Sequence, residues 1–177
     1  TPFAGDIVFQ NGGSLRLRGD PSKNHISTGI IFMDDASSFR YNTGGAGMYV
    51  DAQIVLLGNV VMNMESDNSS GSTMTLPGSI SGSFSVTALN NGKGTPNSGN
   101  LLLTGDNSSF IGTWDLTQYS TKYPSVSGYI SSIEGKSENA FGKGNINAAH
   151  ENRVIFSHSK AAGDSLVLTL SDNAKAI

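Results

Sequence analysis

The chain contains no cysteine, which removes disulfide scaffolds and thiolate metal centres from consideration. It is also poor in charge. Asp, Glu, Lys and Arg make up 14% of its 177 residues, against about 25% in ordinary soluble domains. The few Lys and Arg are scattered and the net charge is −3, so there is no basic stripe for nucleic acid. No apolar run approaches the roughly 18 residues that a membrane-spanning helix needs. The longest, Ile54 to Met62, is interrupted at Gly58-Asn59 and reads as two buried strands with a corner between them. Helical periodicity is missing as well. Its best candidate, Glu134 to Phe141, contains Gly135 and has no apolar stripe, so it reads as a loop or short turn.

What is abundant is small and turn-forming: 26 Ser, 16 Asn and 22 Gly. Low charge with a moderate apolar content argues against disorder, and 177 residues suffice for one domain with a sizeable core. Period-two alternation runs through most of the chain. Strand-like segments include Ile7 to Phe9, Ser14 to Arg18, Gly29 to Met33, Met48 to Leu57 and Val60 to Met64. Thr73 to Leu76, Leu101 to Thr104, Asn145 to Ala148, Arg153 to Ser157 and Leu166 to Leu170 belong to the same class. Between Ser79 and Leu89, Ile80, Phe84 and Val86 alternate with serines as if sharing one face. Gly, Asn, Asp, Ser and Pro bound these runs, as turns require.

One phrase recurs. Gly13-Ser-Leu-Arg-Leu-Arg-Gly19-Asp20 is echoed by Gly99-Asn-Leu-Leu-Leu-Thr-Gly105-Asp106, and more loosely by Gly163 to Asp172. Alternating leucines followed by a Gly-Asp corner describe a short strand with one buried face, and their repetition suggests stacked, similar units. In such a unit Leu101 and Leu103 point inward, Gly105 supplies a corner at positive φ, and Asn107 caps the turn or joins an internal polar ladder. Two all-β architectures accommodate this: a parallel β-helix or an antiparallel sandwich. Asn11-Gly12-Gly13 and Asn90-Asn91-Gly92 are compatible with primed hairpin turns.

From Gly78 to Ile146 the order of motifs is more specific. Gly-Ser-Ile-Ser-Gly82 is followed by Gly99-Asn-Leu-Leu-Leu-Thr-Gly105-Asp-Asn107, then Ser109-Phe-Ile-Gly-Thr-Trp-Asp-Leu116, then Asn139-Ala-Phe-Gly142-Lys-Gly144-Asn-Ile146. This resembles the autotransporter-associated β-strand repeat. The resemblance implies a right-handed parallel β-helix within the passenger of a Gram-negative type V secreted surface protein. It also implies an extracellular or outer-membrane-associated location. Residues 1–177 form a single all-β domain in this reading, and the end at Lys175-Ala-Ile177 without a terminating element points to a piece of a longer surface protein.

Candidate chemistry is sparse. Asp34, Asp35 and Asp51 are the carboxylates from which a hydrolase would draw its acid and base, which must be held a few ångströms apart with unequal pKa values. Adjacent strand residues point to opposite faces, so Asp34 and Asp35 converge only in a turn. Asp51 with Arg40 would supply a mixed acid–base pair. Tyr119, Tyr123 and Tyr129, grouped around Pro124, are loop aromatics suited to sugar or protein contacts, whereas Trp114 suits the core. Arg18-Gly19-Asp20 is an integrin-type tripeptide, but Thr104-Gly105-Asp106 fills the same slot in the second copy, so a turn explains Gly-Asp. His25, His150 and His158 lack the convergent ligand spacing of a metal centre. Asp67 to Gly71 and Asp106 to Ser109 lack the acidic alternation of calcium loops.

These readings lead to a non-catalytic structural and adhesive segment that presents loops to host glycans, mucin or other cells. It would have no cofactor, no metal, no nucleic-acid partner and no membrane span of its own, and it could dimerise through exposed end strands. The alternative is an extracellular hydrolase of glycoprotein or polysaccharide, an aspartic-type peptidase or glycan-active enzyme working through Asp34, Asp35 or Asp51.

Overall fold

The computed structural model describes residues 5–18, 25–27, 29–42, 47–64, 73–90, 99–118, 130–157, 167–171 and 173–177. Its chain winds in successive rungs. The first holds β1 (Ile7–Phe9), β2 (Ser14–Arg18) and β3 (His25–Ile26), and the second β4 (Ile30–Met33), β5 (Ser38–Asn42) and β6 (Gly47–Val50). The third holds β7 (Gln53–Leu56), β8 (Val60–Asn63) and β9 (Thr73–Leu76), and the fourth β10 (Ile80–Ser81), β11 (Ser85–Leu89) and β12 (Asn100–Leu103). Three two-stranded rungs follow: β13 (Thr113–Asp115) with β14 (Ser132–Gly135), β15 (Asn145–Ala148) with β16 (Arg153–Phe156), and β17 (Val167–Leu170) with β18 (Lys175–Ala176).

Corresponding strands of successive rungs form three sheets. Sheet A has four strands, β1-β4-β7-β10; sheet B has seven, from β2 to β17; sheet C has seven, from β3 to β18. Every strand pairing is parallel. The fold is a right-handed parallel β-helix, not a sandwich.

Period two sets which residues enter the core, and register stacks them in columns. Ile7, Ile31, Ile54 and Ile80 lie over one another in sheet A. Val60, Val86, Trp114, Ile146 and Leu168 form a column in sheet B. Met48, Met74, Leu101, Ile133 and Val154 form one in sheet C. Most of these side chains are fully buried, and each such burial is worth about 1.5–3 kcal/mol. No single rung could enclose them. The core exists because rungs about 4.8 Å apart cover one another.

Where sheet A ends, larger side chains and polar staples take over its side of the prism. A lone parallel bridge, Gly82 to Phe110, carries the side into the fifth rung. Phe110 packs on Trp114 with ring centroids 4.8 Å apart, and the Trp114 indole N–H donates to the Phe141 carbonyl at 3.0 Å. Asn107 is fully buried. Its Oδ1 accepts from the Ile80 amide at 2.6 Å in the fourth rung, and its Nδ2 donates to the Ala140 carbonyl in the sixth. One amide side chain thereby joins three rungs, as an internal polar ladder would.

Several sequence expectations change. The Gly-x-Leu-x-Leu phrase is not the rung: Leu15 and Leu17 lie in sheet B, whereas Leu101 and Leu103 lie in sheet C. The phrase encodes a strand with a corner, wherever in the circuit one is needed. Gly105 does not have positive φ. A Cβ there would lie 2.3 Å from the Gly78 carbonyl oxygen, so close approach of rungs demands the glycine. Asn11 and Gly12 do take φ of 53° and 73°, and Gly13 N–H closes on the Gln10 carbonyl at 3.1 Å. That tight turn leads from sheet A to sheet B instead of closing a hairpin. The run from Ser79 to Leu89 breaks at Gly82, with φ of 120°; Ile80 and Val86 are buried, while Phe84 is 37% exposed. Met48 to Leu57 likewise splits into β6 and β7 around Asp51-Ala52.

Candidate functional site

The A–B edge of the prism absorbs the first two candidate carboxylates. Asp34 begins a tight turn in which the Ser37 amide donates to its carbonyl at 3.1 Å, while its Oδ1 accepts from the Asp35 amide at 2.8 Å. The Asp35 Oδ1 accepts from the Asn59 amide of the next rung at 3.0 Å, and the Asn59 Oδ1 accepts from the Ser85 amide of the rung after at 2.9 Å. Asp6 does the same for the Ile30 amide at 2.8 Å. These short side chains satisfy backbone donors at corners where the sheet ladders are interrupted. Asp106 is a further corner carboxylate. The Ser108 backbone N–H, at 2.9 Å, together with the Ser108 side chain, holds its pKa below the ordinary aspartate value.

Asp51 lies elsewhere, immediately after β6 where the chain leaves sheet C for sheet A. It does not share an edge with Asp34 or Asp35, and Arg40 stands on β5 in sheet B. Instead Asp51 meets His25: Nε2 and Oδ2 are 2.9 Å apart across the first and second rungs. His25 and Tyr49 are register partners in sheet C, with ring centroids 6.1 Å apart in an edge arrangement. The local sequence explains the grouping. In Gly47-Met-Tyr-Val-Asp51, Met48 and Val50 are fully buried, so Gly47, Tyr49 and Asp51 fall on the outer face. A Cβ on Gly47 would lie 3.5 Å from a Tyr49 ring carbon, so the ring extends over the bare glycine backbone. Tyr49 is 46% exposed, and the His25 and Asp51 side chains are 51% and 42% exposed.

A carboxylate only accepts hydrogen bonds, so His25 Nε2 carries the proton shared with Asp51. The Asp51 carboxylate keeps its second oxygen as an acceptor. The cluster thus places a phenol ring, an imidazole and a carboxylate together on one outer face. Neither Tyr49 nor His25 was singled out for this role by sequence reasoning. The alternation around Met48 and Val50 places Tyr49 outward, but contact with a histidine 26 residues from Asp51 follows only from the winding of the chain.

The other candidates are distributed differently. Trp114 is a core residue. His150 sits in the tight turn between β15 and β16, at φ of 55°, and not on a strand. Gly19, Asp20, Asp67, Asn68, Tyr119, Tyr123, Tyr129 and His158 lie outside the described residues. A depression of about 410 Å³ on the last two rungs is lined by Glu151, Arg153, Asn173 and Lys175; Arg153 and Lys175 are register partners there. Among the described residues, no three His, Asp or Glu side chains are grouped to hold a metal ion.

Fold and surface together define a structural β-solenoid whose regular core occupies most of the chain. Compared with protein-family models, curated proteins and solved structures, the chain matches none.

Proposed function

We propose that this chain is a passive structural and adhesive segment of a secreted or outer-membrane-anchored bacterial protein, a rigid stalk presenting recognition surfaces to host glycans or other cells. The observation that carries this reading is the use made of polar side chains. Asp6, Asp35, Asn59 and Asn107 all bind backbone groups of neighbouring rungs, so polarity is invested in joining rungs. The likeness of Gly78 to Ile146 to the autotransporter-associated repeat supports the surface location.

The test is a glycan and mucin array probed with the 177-residue protein, run beside a turnover assay on the same substrates. Retention without cleavage is the expected result. Cleavage lost on Asp34→Asn, Asp35→Asn or Asp51→Asn would replace the stalk by a carboxylate hydrolase.

A further inference from the structure

We propose that His25, Tyr49 and Asp51 form a binding subsite for a neutral pyranose ring, on the outer face of sheet C rather than on a loop. The proposal deepens the adhesive reading above and rests on it for the biological source of the sugar.

The chemistry of the cluster selects the ligand. Tyr49 extends over Gly47 and keeps 46% of its surface in solvent, which provides a platform for the apolar C–H face of a sugar. The carboxylate of Asp51 has one oxygen held by His25. Its other oxygen is a second acceptor site on the same carboxylate. A carboxylate acceptor beside an aromatic plane calls for a ligand with an apolar face and hydroxyl donors at its rim. A pyranose has that distribution.

Dimensions agree. Tyr49 and Asp51 are two residues apart on one strand direction, about 6.6 Å at 3.3 Å per residue, and His25 is one rung away, about 4.8 Å. All three groups lie within the span of one sugar ring. The framework beneath is fixed: Met48 and Val50 are fully buried, and the Asp51 amide donates to the Ile26 carbonyl at 2.9 Å. The His25–Asp51 bond orients both side chains before a ligand arrives, which lowers the ordering cost of binding.

An organic cation is the competing ligand, since a tyrosine beside a carboxylate attracts ammonium groups. A single aromatic ring is not the cage that such ligands favour.

The experiment is an amide-detected NMR titration of the whole chain with methyl glucoside, methyl galactoside, methyl mannoside and, separately, choline chloride. Saturable shifts confined to the amides around His25, Tyr49 and Asp51 are expected with at least one glycoside. Tyr49→Ala and Asp51→Asn should each weaken that binding at least tenfold, Tyr49→Phe should retain it within about threefold, and each variant should melt within a few degrees of the wild type. Shifts with choline alone, shifts elsewhere, or no saturable shift would overturn the proposal, as would unaltered binding by folded Tyr49→Ala. The same variants on the glycan array separate the two readings. Array binding that survives Tyr49→Ala sinks this subsite and leaves the adhesive reading standing. Glycoside shifts at Tyr49 with a blank array would do the reverse.

Discussion

Removing the Asn107 side chain tests how the solenoid is held together where sheet A runs out. In Asn107→Ala, the Ile80 amide and the Ala140 carbonyl lose their partners, and both residues are fully buried. Each orphaned group costs about 1–3 kcal/mol, so the pair should cost about 2–6 kcal/mol. For a chain of this length, roughly 2–4 °C accompanies each kcal/mol, which translates to a fall in Tm of about 4–24 °C. Differential scanning calorimetry or far-UV circular dichroism reads it directly. Asn107→Asp sharpens the test. Its carboxylate keeps the acceptor for Ile80 but faces the Ala140 carbonyl with a second oxygen, unless that oxygen carries a proton. The folded state therefore favours the protonated acid, and a raised folded-state pKa adds stability as pH falls. Asn107→Asp should consequently gain on the wild type between pH 7 and pH 4. A Tm for Asn107→Ala within about 2 °C of wild type, or an Asn107→Asp deficit independent of pH, would refute the staple.

Gly105→Ala places a Cβ 2.3 Å from the Gly78 carbonyl oxygen and 2.5 Å from that of Pro77, whereas Gly12→Ala meets nothing nearer than 3.7 Å. Urea midpoints should therefore fall further for Gly105→Ala than for Gly12→Ala, which carries only the left-handed backbone cost of about 1–2 kcal/mol; the opposite order would count against close approach as the reason for Gly105. Asp106 has a depressed folded-state pKa, chiefly from the Ser108 amide, so its contribution is present above the unfolded value of about 3.9 and fades as pH falls. The Tm difference between wild type and Asp106→Asn should narrow on moving from pH 7 to pH 3, and a constant difference would contradict this. Ser37 Oγ is buried without a partner among the described residues, just before β5, so Ser37→Ala should raise the urea midpoint. A lower midpoint would show that the hydroxyl is satisfied. Val167, Leu170 and Ile177 are exposed on the last rung, so light scattering of this chain should show concentration-dependent association, and a single monomeric species at all concentrations would exclude it.

Strand positions were legible because burial acts residue by residue. Alternation placed β2, β9 and β15 with the boundaries the structure has, and it buried Leu101 and Leu103. It passed over β5, whose Phe39 and Tyr41 are fully buried between Ser38, Arg40 and Asn42. That alternation was present, but its apolar members are aromatic and sparse. The corners at Gly82 and Asp51-Ala52 were also missed, since alternation continues on both sides of each and only backbone direction changes.

By itself the sequence determined an all-β chain with short strands, turn-rich corners and no thiol or basic-stripe chemistry. A two-residue period and the steric demands of Gly, Asn and Asp are local properties. Tertiary structure alone decided that the strands pair in parallel with partners mostly 21 to 32 residues away, and that Asn107 reaches both Ile80 and Ala140. It also decided that His25 meets Asp51 beside Tyr49. Rung lengths vary as connections lengthen and shorten, so no fixed sequence period reports which residues are stacked. Hydrogen-bond registry between rungs sets those contacts, and it exists only once the chain has wound upon itself.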